Sequence, residues 1–259
     1  MLDSLYIGAS GMHAQQTNVD VISNNLANVN TSAFKKNRVS FEDLMYRETS
    51  RQNGLLGGSE SVHRLGVGTG VSGTSKVFTA GELKKSDSPL DIAIRGQGFL
   101  EVTMPDGSSA YTRSGSMEVN RDGFLTTPEG YLLKSSIQIP GDATEIVIEP
   151  AGRVMVRIPT DKELLEVGQL DLVNFTNPGG LNPNGGNLYL ASDRSGEALI
   201  GKPGENGYGT LAQSFLETSN VKLMEEMINL IIAQRAYEIN AKVVQASDEM
   251  LGMSNNLRR

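Results

Sequence analysis

The chain is predicted to be an α+β protein: a mainly β central domain of hairpins, inserted between N- and C-terminal helices that pair as a coiled-coil-like helical domain. Three observations predict it. Apolar residues recur at steps of three and four at both ends, the helical period. The middle holds short β-type runs about ten residues apart, split by Asp-Gly and Glu-Gly turns. Glycine-rich stretches separate the two kinds of pattern. The boundaries that follow are 1–30 and 219–259 for the terminal helical domain, 31–70 for an extended glycine-rich connector, and 71–218 for the mainly β domain.

At the N-terminus, Leu2, Leu5, Ala9, Met12, Val19, Ile22, Leu26 and Val29 form one apolar seam, with Gln16 as its polar member. Asp3 and Ser4 are suited to cap the start, and Asn28 to Ser32 supplies turn formers at the end, so the helix is placed at about 4–28. At the C-terminus, Leu223, Met227, Leu230, Tyr237, Ala241, Val244 and Leu251 follow a heptad register in which Gln234 and Asp248 are polar interruptions. A second register, Ile228, Ile232, Ala236, Ile239, Val243, Ala246 and Met250, lies beside it. Asn220 is the expected cap, Glu225 and Glu226 sit near the positive end of the dipole, and Arg258 and Arg259 sit at the other. A helix over 221–256 would be roughly 50 Å long at about 1.5 Å per residue.

The β-type runs are Asp91–Ile94, Gly98–Met104, Ala110–Arg113, Met117–Asn120, Phe124–Thr127 and Tyr131–Leu133, with turns at Pro105-Asp106-Gly107, Arg121-Asp122-Gly123 and Pro128-Glu129-Gly130. Further runs are Ile146–Ile148, Val154–Ile158, Leu170–Phe175 and Leu188–Leu190, and a second glycine-rich connector is expected near 196–213.

Composition restricts the function. The 259 residues include 23 basic and 30 acidic ones, a formal charge of −7 that argues against nucleic acid as a partner. Lys35, Lys36 and Arg38, the richest basic group, read as a solvated loop. Without cysteine there are no disulfides, thiolate metal sites or cysteine nucleophiles. No apolar run reaches the roughly 18–20 residues of a membrane span, so no membrane insertion is expected, and the N-terminus lacks the pattern of a cleaved secretory signal.

The same restriction applies to catalysis. His13 falls on the N-terminal helix and His63 in the connector, and neither belongs to a metal or phosphate-loop motif. Gly66, Gly68 and Gly70 lack the spacing of a dinucleotide loop. Asp106, Asp122 and Asp142 each adjoin a glycine and read as turn residues. Asn30-Thr31-Ser32 matches a glycosylation acceptor formally but reads as a helix end. No cofactor, metal or catalytic group is expected, and the chain is read as a non-enzyme.

Burial points to assembly instead. Paired terminal helices would leave Ile232, Ile239, Val243 and Met250 uncovered. Ordering a residue costs about 1–2 kcal/mol, whereas burying a large aliphatic side chain returns roughly 1.5–3 kcal/mol. The ends are therefore expected to be disordered in the monomer and to fold as neighbouring copies cover them. The packing residues are Leu2, Leu5, Met12, Val19, Ile22 and Leu26 on the first helix. On the second they are Leu223, Met227, Leu230, Tyr237, Val244, Leu251, Ile232, Ile239, Val243 and Met250.

Particular strings resemble a known family. Val21-Ile22-Ser23-Asn24-Asn25-Leu26-Ala27-Asn28, followed by Thr31-Ser32-Ala33-Phe34-Lys35, is similar to the N-terminal signature of the flagellar rod and hook (axial) proteins. Leu216 to Val221 and Ile232-Ala233-Gln234-Arg235-Ala236-Tyr237-Glu238-Ile239-Asn240-Ala241-Lys242 resemble the C-terminal one. Leu90 to Phe99 and Tyr111 to Gly115 match the family's β segment. Lys222 and Ala212 to Phe215 depart from the usual pattern. One β domain of this size points within the family to the distal rod kind, with a proximal rod paralogue or a hook-type protein as alternatives. The resemblance implies a helical homopolymer forming a hollow axle that transmits torque to the hook and passes exported subunits.

It further implies proximal rod subunits and hook or junction proteins at the polymer ends, a surrounding ring bushing, and an export apparatus that needs no cleaved signal. The location would be the periplasm-spanning basal body. The stretch 46–66 would brace neighbouring subunits. A reading from another class is an adhesin-like β domain on a coiled-coil stalk, which would form discrete oligomers rather than tubes; a β-domain enzyme with helical arms is a third.

Overall fold

The computed structural model describes residues 2–44, 46–50, 62–159 and 164–256, without the side chains of residues 2, 46–50, 62–65 and 255. Two helices, α1 (Leu2–Ala27) and α2 (Leu223–Asn256), flank a chain of strands. The first strands are β1 (Asn37–Asp43), β2 (Tyr46–Ser50), β3 (Val62–Gly66), β4 (Thr69–Lys76) and β5 (Leu83–Lys85). Next come β6 (Ile92–Arg95), β7 (Leu100–Thr103), β8 (Ser109–Thr112), β9 (Glu118–Val119), β10 (Leu125–Thr126), β11 (Leu132–Leu133), β12 (Glu145–Ile148) and β13 (Arg153–Arg157). The last are β14 (Leu164–Gln169), β15 (Leu172–Asn174), β16 (Asn182–Gly185), β17 (Leu188–Leu190), β18 (Leu199–Gly201), β19 (Thr210–Gln213) and β20 (Phe215–Glu217). The chain divides into two compact units, one of Met1–Ala27, Asn37–Lys76 and Lys222–Arg259, the other of Asn28–Lys36 and Val77–Val221.

In the first unit the helices lie side by side and antiparallel. Gly8 faces Val244 and Gly11 faces Asn240, so close that a Cβ on either glycine would come within 2.7 and 2.8 Å of those side chains. Near the other end of α1, Asn25 donates to Glu226 Oε2 at 3.3 Å. The segment expected to be an extended connector is instead a two-stranded antiparallel ribbon. β1 pairs with β4 from Asn37↔Lys76 to Asp43↔Thr69, and β2 pairs with β3 from Tyr46↔Gly66 to Ser50↔Val62. The Leu44 N–H donates to the Gly68 carbonyl between the two ladders and keeps them in one register. Glycine content had suggested an unpaired linker, but glycine weakens a strand without forbidding the ladder. Met45 and residues 51–61 of the expected connector lie outside the described residues.

The second unit is antiparallel β structure with only a 3₁₀ turn, Pro178–Gly180, as helix among the described residues. Its largest sheet runs β16-β17-β8-β7-β11-β10-β9, beside the three strands β12-β13-β14 and the pairs β15-β18, β19-β6 and β20-β5. The turns expected from Asp-Gly and Glu-Gly are present. Gly107, Gly123 and Gly130 take φ of +83°, +85° and +90°, a region costly for residues with a Cβ. Ile92, Ile94, Leu100, Leu125, Val154 and Leu172 belong to one buried apolar cluster. The stretch 196–213, expected as a second connector, contributes β18 and β19, the latter paired with β6 from Thr210↔Arg95 to Gln213↔Ile92.

Candidate functional site: helix faces and a buried charge cluster

On α1 the buried positions are Gly8, Gly11, Ala14, Ile22 and Asn25. Of the expected packing residues, Ile22 is buried and Leu5, Met12, Val19 and Leu26 are half-buried, while the side chain of Leu2 lies outside the described ones. On α2 the buried residues are Glu226, Ala233 and Ser247, with Leu230, Asn240, Val244 and Leu251 half-buried. The covered side therefore uses positions 226, 233, 240 and 247, where the sequence register had put Met227, Gln234, Ala241 and Asp248. Gly8, Gly11, Ala14, Ala233 and Ser247 are small enough to let the helices approach, while Glu226 is held inward by the hydrogen bond from Asn25 and Asn240 lies against Gly11.

The outward side of α2 is apolar. Ile232 and Ile239 are 60% and 61% exposed, and Leu223, Met224, Met227, Ile228, Ile231, Tyr237, Val243, Met250 and Met253 are exposed as well. The helix pair thus covers small and polar groups together with Ile22 and part of Leu5, Met12, Leu230 and Val244, and leaves many of its large apolar side chains in solvent.

Among the signature residues, Asn24, Ala27, Gln234, Arg235 and Tyr237 are exposed, Leu26, Asn28 and Ala236 are half-buried, and Asn25, Phe34 and Lys35 are buried. Asn25 has a definite task. Its Oδ1 accepts from the Asn37 N–H at 2.8 Å and its Nδ2 donates to the Asn37 carbonyl at 2.9 Å, so one side chain meets both backbone groups at the start of β1.

Lys35 overturns the solvated-loop reading. Its side chain is fully buried and donates to Glu217 Oε1 at 2.6 Å and to the Thr79 carbonyl at 2.7 Å. The same Glu217 oxygen accepts the Gly81 N–H at 2.7 Å, and Oε2 accepts Arg113 Nε at 2.9 Å. The rest of the Arg113 guanidinium donates to the carbonyls of Ile94, Gly96 and Gly98 at 3.2, 2.9 and 3.0 Å. Burial by itself would push the Glu217 carboxyl up, but Arg113 and Lys35 beside it override that and hold it below its ordinary value. Arg113 also lies over the Phe99 ring, 5.9 Å from its centroid.

Asn220, expected to cap α2, serves this neighbourhood instead. Its Oδ1 accepts the Lys36 N–H at 2.8 Å and its Nδ2 donates to the Val77 carbonyl at 2.7 Å, while α2 begins at Leu223. Neither Arg113 nor Glu217 stands out in the sequence as a site residue, because nothing local marks partners this far apart. The one legible signal was that Lys35, Arg113 and Glu217 each fell inside a family-like string.

Three family models match the chain: a flagella basal body rod protein model over residues 5–35, a flagellar hook protein FlgE/F/G D1 domain model over 93–156, and a flagellar basal body rod FlgEFG protein C-terminal model over 212–257. The flagellar basal-body rod protein FlgG of Borreliella burgdorferi is 43% identical, with 100% of each chain covered. FlgG of Buchnera aphidicola subsp. Schizaphis graminum is 46% identical over 97% of this chain and 98% of that one, and FlgG of Bacillus subtilis is 38% identical over the full length of both.

The chain belongs to the FlgG family of flagellar basal-body rod proteins.

It is therefore a structural subunit of the basal-body rod, and its distinctive features are to be read as parts of an assembly. Lys35, Arg113 and Glu217 fall one in each of the three segments that the family models match. In this FlgG-family chain the buried charges join those three segments at one point. No group of histidine, aspartate and glutamate side chains suited to a metal ion occurs among the described residues, and no described helix is long and apolar enough to cross a membrane.

Proposed function

We propose that this rod subunit polymerises with copies of itself into a hollow, periplasm-spanning tube of the distal rod, which transmits torque to the hook and lets exported subunits pass. The observation that carries the reading is the row of large apolar side chains on α2 that its own chain leaves in solvent. Each would return roughly 1.5–3 kcal/mol on full burial, which a neighbouring copy can supply and a lone chain cannot. A contact of this kind repeated about an axis builds an open helical filament when its rotation does not close. The expected packing residues on both helices other than Ile22, which its own chain already buries, are assigned to such contacts, with Ile232, Ile239, Val243 and Met250 meeting a neighbour, and α1 and α2 joining in a coiled-coil-like helical domain.

Proximal rod subunits and hook or junction proteins would meet the ends of the tube, a ring bushing would surround it, and the flagellar export apparatus would deliver the chain. The stretch 46–66, which carries β2 and β3, would brace neighbouring copies. Torque transfer needs many redundant contacts and no catalytic group, so the chain acts as a non-enzyme. Electron microscopy of the purified protein under assembly conditions tests the reading. Long tubes support it; discrete dimers or trimers would instead fit the stalked adhesin, and a monomer at every concentration would remove the basis for self-assembly.

A further inference from the structure

The chain enters or leaves the β unit at residues 28, 36, 77 and 221. Three of these four points converge on one small network. The Ala33 N–H donates to the Glu217 carbonyl at 2.8 Å, the Val77 N–H donates to the Lys36 carbonyl at 2.9 Å, and the Asn220 N–H donates to the Phe34 carbonyl at 3.3 Å. Asn220 bridges residues 36 and 77 through its side chain, and Lys35 reaches Thr79 and Glu217. Ala33, Phe34 and Val221 are buried beside it. Charge and hydrogen bonding fasten the segment at this point.

Arg113 supplies the far end of the fastening. It follows β8 directly and spends its remaining donors on carbonyls of β6 and the loop after it, whose apolar residues Ile92 and Ile94 are core. The path runs from Lys35 through the Glu217 carboxylate to Arg113, and from there into the sheet.

We propose that the Lys35–Glu217–Arg113 cluster is an anchor that holds the strands entering and leaving the β unit on its core, and that the anchored segments open together as one element while the core stays closed. Under the rod reading the anchor is where pull on those strands is handed to the sheet. Its opening behaviour is a property of the separated subunit and does not depend on that reading. Two cations share one carboxylate, so removing the carboxylate charge leaves both without their common partner. Removing Lys35 alone detaches the entering segment while leaving Arg113 paired.

The test is hydrogen exchange on the full chain, read by mass spectrometry or NMR, for the wild type, Lys35→Met, Glu217→Gln and the conservative Lys35→Arg. The anchor predicts that amides of 33–36, 77–82 and 214–220 exchange at least about tenfold faster in Lys35→Met and Glu217→Gln, while β6, β7 and β13 keep their protection. Lys35→Arg should recover most of the loss. Should Glu217→Gln not fold, the wild type in low urea still decides. The anchored segments should then share one opening step with a weaker urea dependence than the core. Uniform loss across the unit, no change in any variant, or anchored amides that open only together with β6 and β7 would overturn the proposal. Loss of tube formation with this exchange pattern intact would count against the rod reading alone.

Discussion

Lys35 and Glu217 stand 182 positions apart in the chain, yet the lysine ammonium donates to the glutamate carboxylate at 2.6 Å with both side chains out of solvent. The pair gains strength from this setting and also depends on it. Each partner has given up hydration, so deleting one leaves the other with a cost it cannot shed.

Glu217→Gln and Lys35→Met are accordingly expected to lower the free energy of opening the anchored segments 33–36, 77–82 and 214–220, by up to about 3–5 kcal/mol, the range for breaking a buried ion pair on one side. Hydrogen exchange of those segments in the full chain measures this. A loss below about 1 kcal/mol in both variants would mean the cluster contributes little.

The same cluster sets an acid limit. Glu217 is held below its ordinary value of 4.5, so below that pH the unfolded chain takes up the proton before the native one does. The stabilisation is present above about pH 4.5 and is lost as pH falls through the native value. Lys35 and Arg113 are the charges facing the carboxylate, and Tyr189 nearby is kept neutral by burial, its own hydroxyl pushed up. Urea midpoints between pH 6 and 3 should fall more steeply for the wild type than for Glu217→Gln. Parallel curves would assign the acid sensitivity to other carboxylates.

Gly115 and Gly141 offer a matched comparison of close approach. A Cβ at Gly115 would sit 1.4 Å from the Ile92 carbonyl oxygen, a backbone atom that cannot swing aside as a side-chain tip can, while a Cβ at Gly141 meets none of the described residues within 4 Å. Gly115→Ala should cost about 3 kcal/mol or more, and Gly141→Ala should stay within about 0.5 kcal/mol. Thermal melts of the two variants separate them. Equal melting points would show that the Ile92–Gly115 contact relaxes easily.

Ile239→Asp and Val243→Asp place a charge on the apolar side of α2, at residues 61% and 43% exposed. In the separated subunit the change should be nearly neutral, within about 0.5 kcal/mol. Against a neighbour it would bury an unpaired carboxylate, and polymer should be lost. Sedimentation and electron microscopy read the second effect, circular dichroism the first. Normal tubes from both variants would remove this stripe from the subunit contacts. The small and polar seam between the helices also predicts weak exchange protection of α1 and α2 in the monomer, compared with β6 and β7.

Period and turn chemistry are local, and local features were legible. The helices at both ends, the β-type runs between 91 and 190, and the turns at Gly107, Gly123 and Gly130 all follow from residues a few positions apart. The rod family was legible for the same reason, being carried by contiguous strings. The exposed stripe of Ile232, Ile239, Val243 and Met250 could be read as one face of a helix before any partner was known. Tertiary structure decided the rest. It paired β1 with β4 and β2 with β3 where glycine suggested an open linker, turned Glu226, Ala233, Asn240 and Ser247 inward, gave Asn220 to residues 36 and 77 instead of a helix end, and buried Lys35 against Glu217 and Arg113. Each of these depends on which distant group arrives to satisfy a hydrogen bond or fill a space. A short-range pattern carries no record of that, because the free energy that selects the partner exists only once the chain has closed around it.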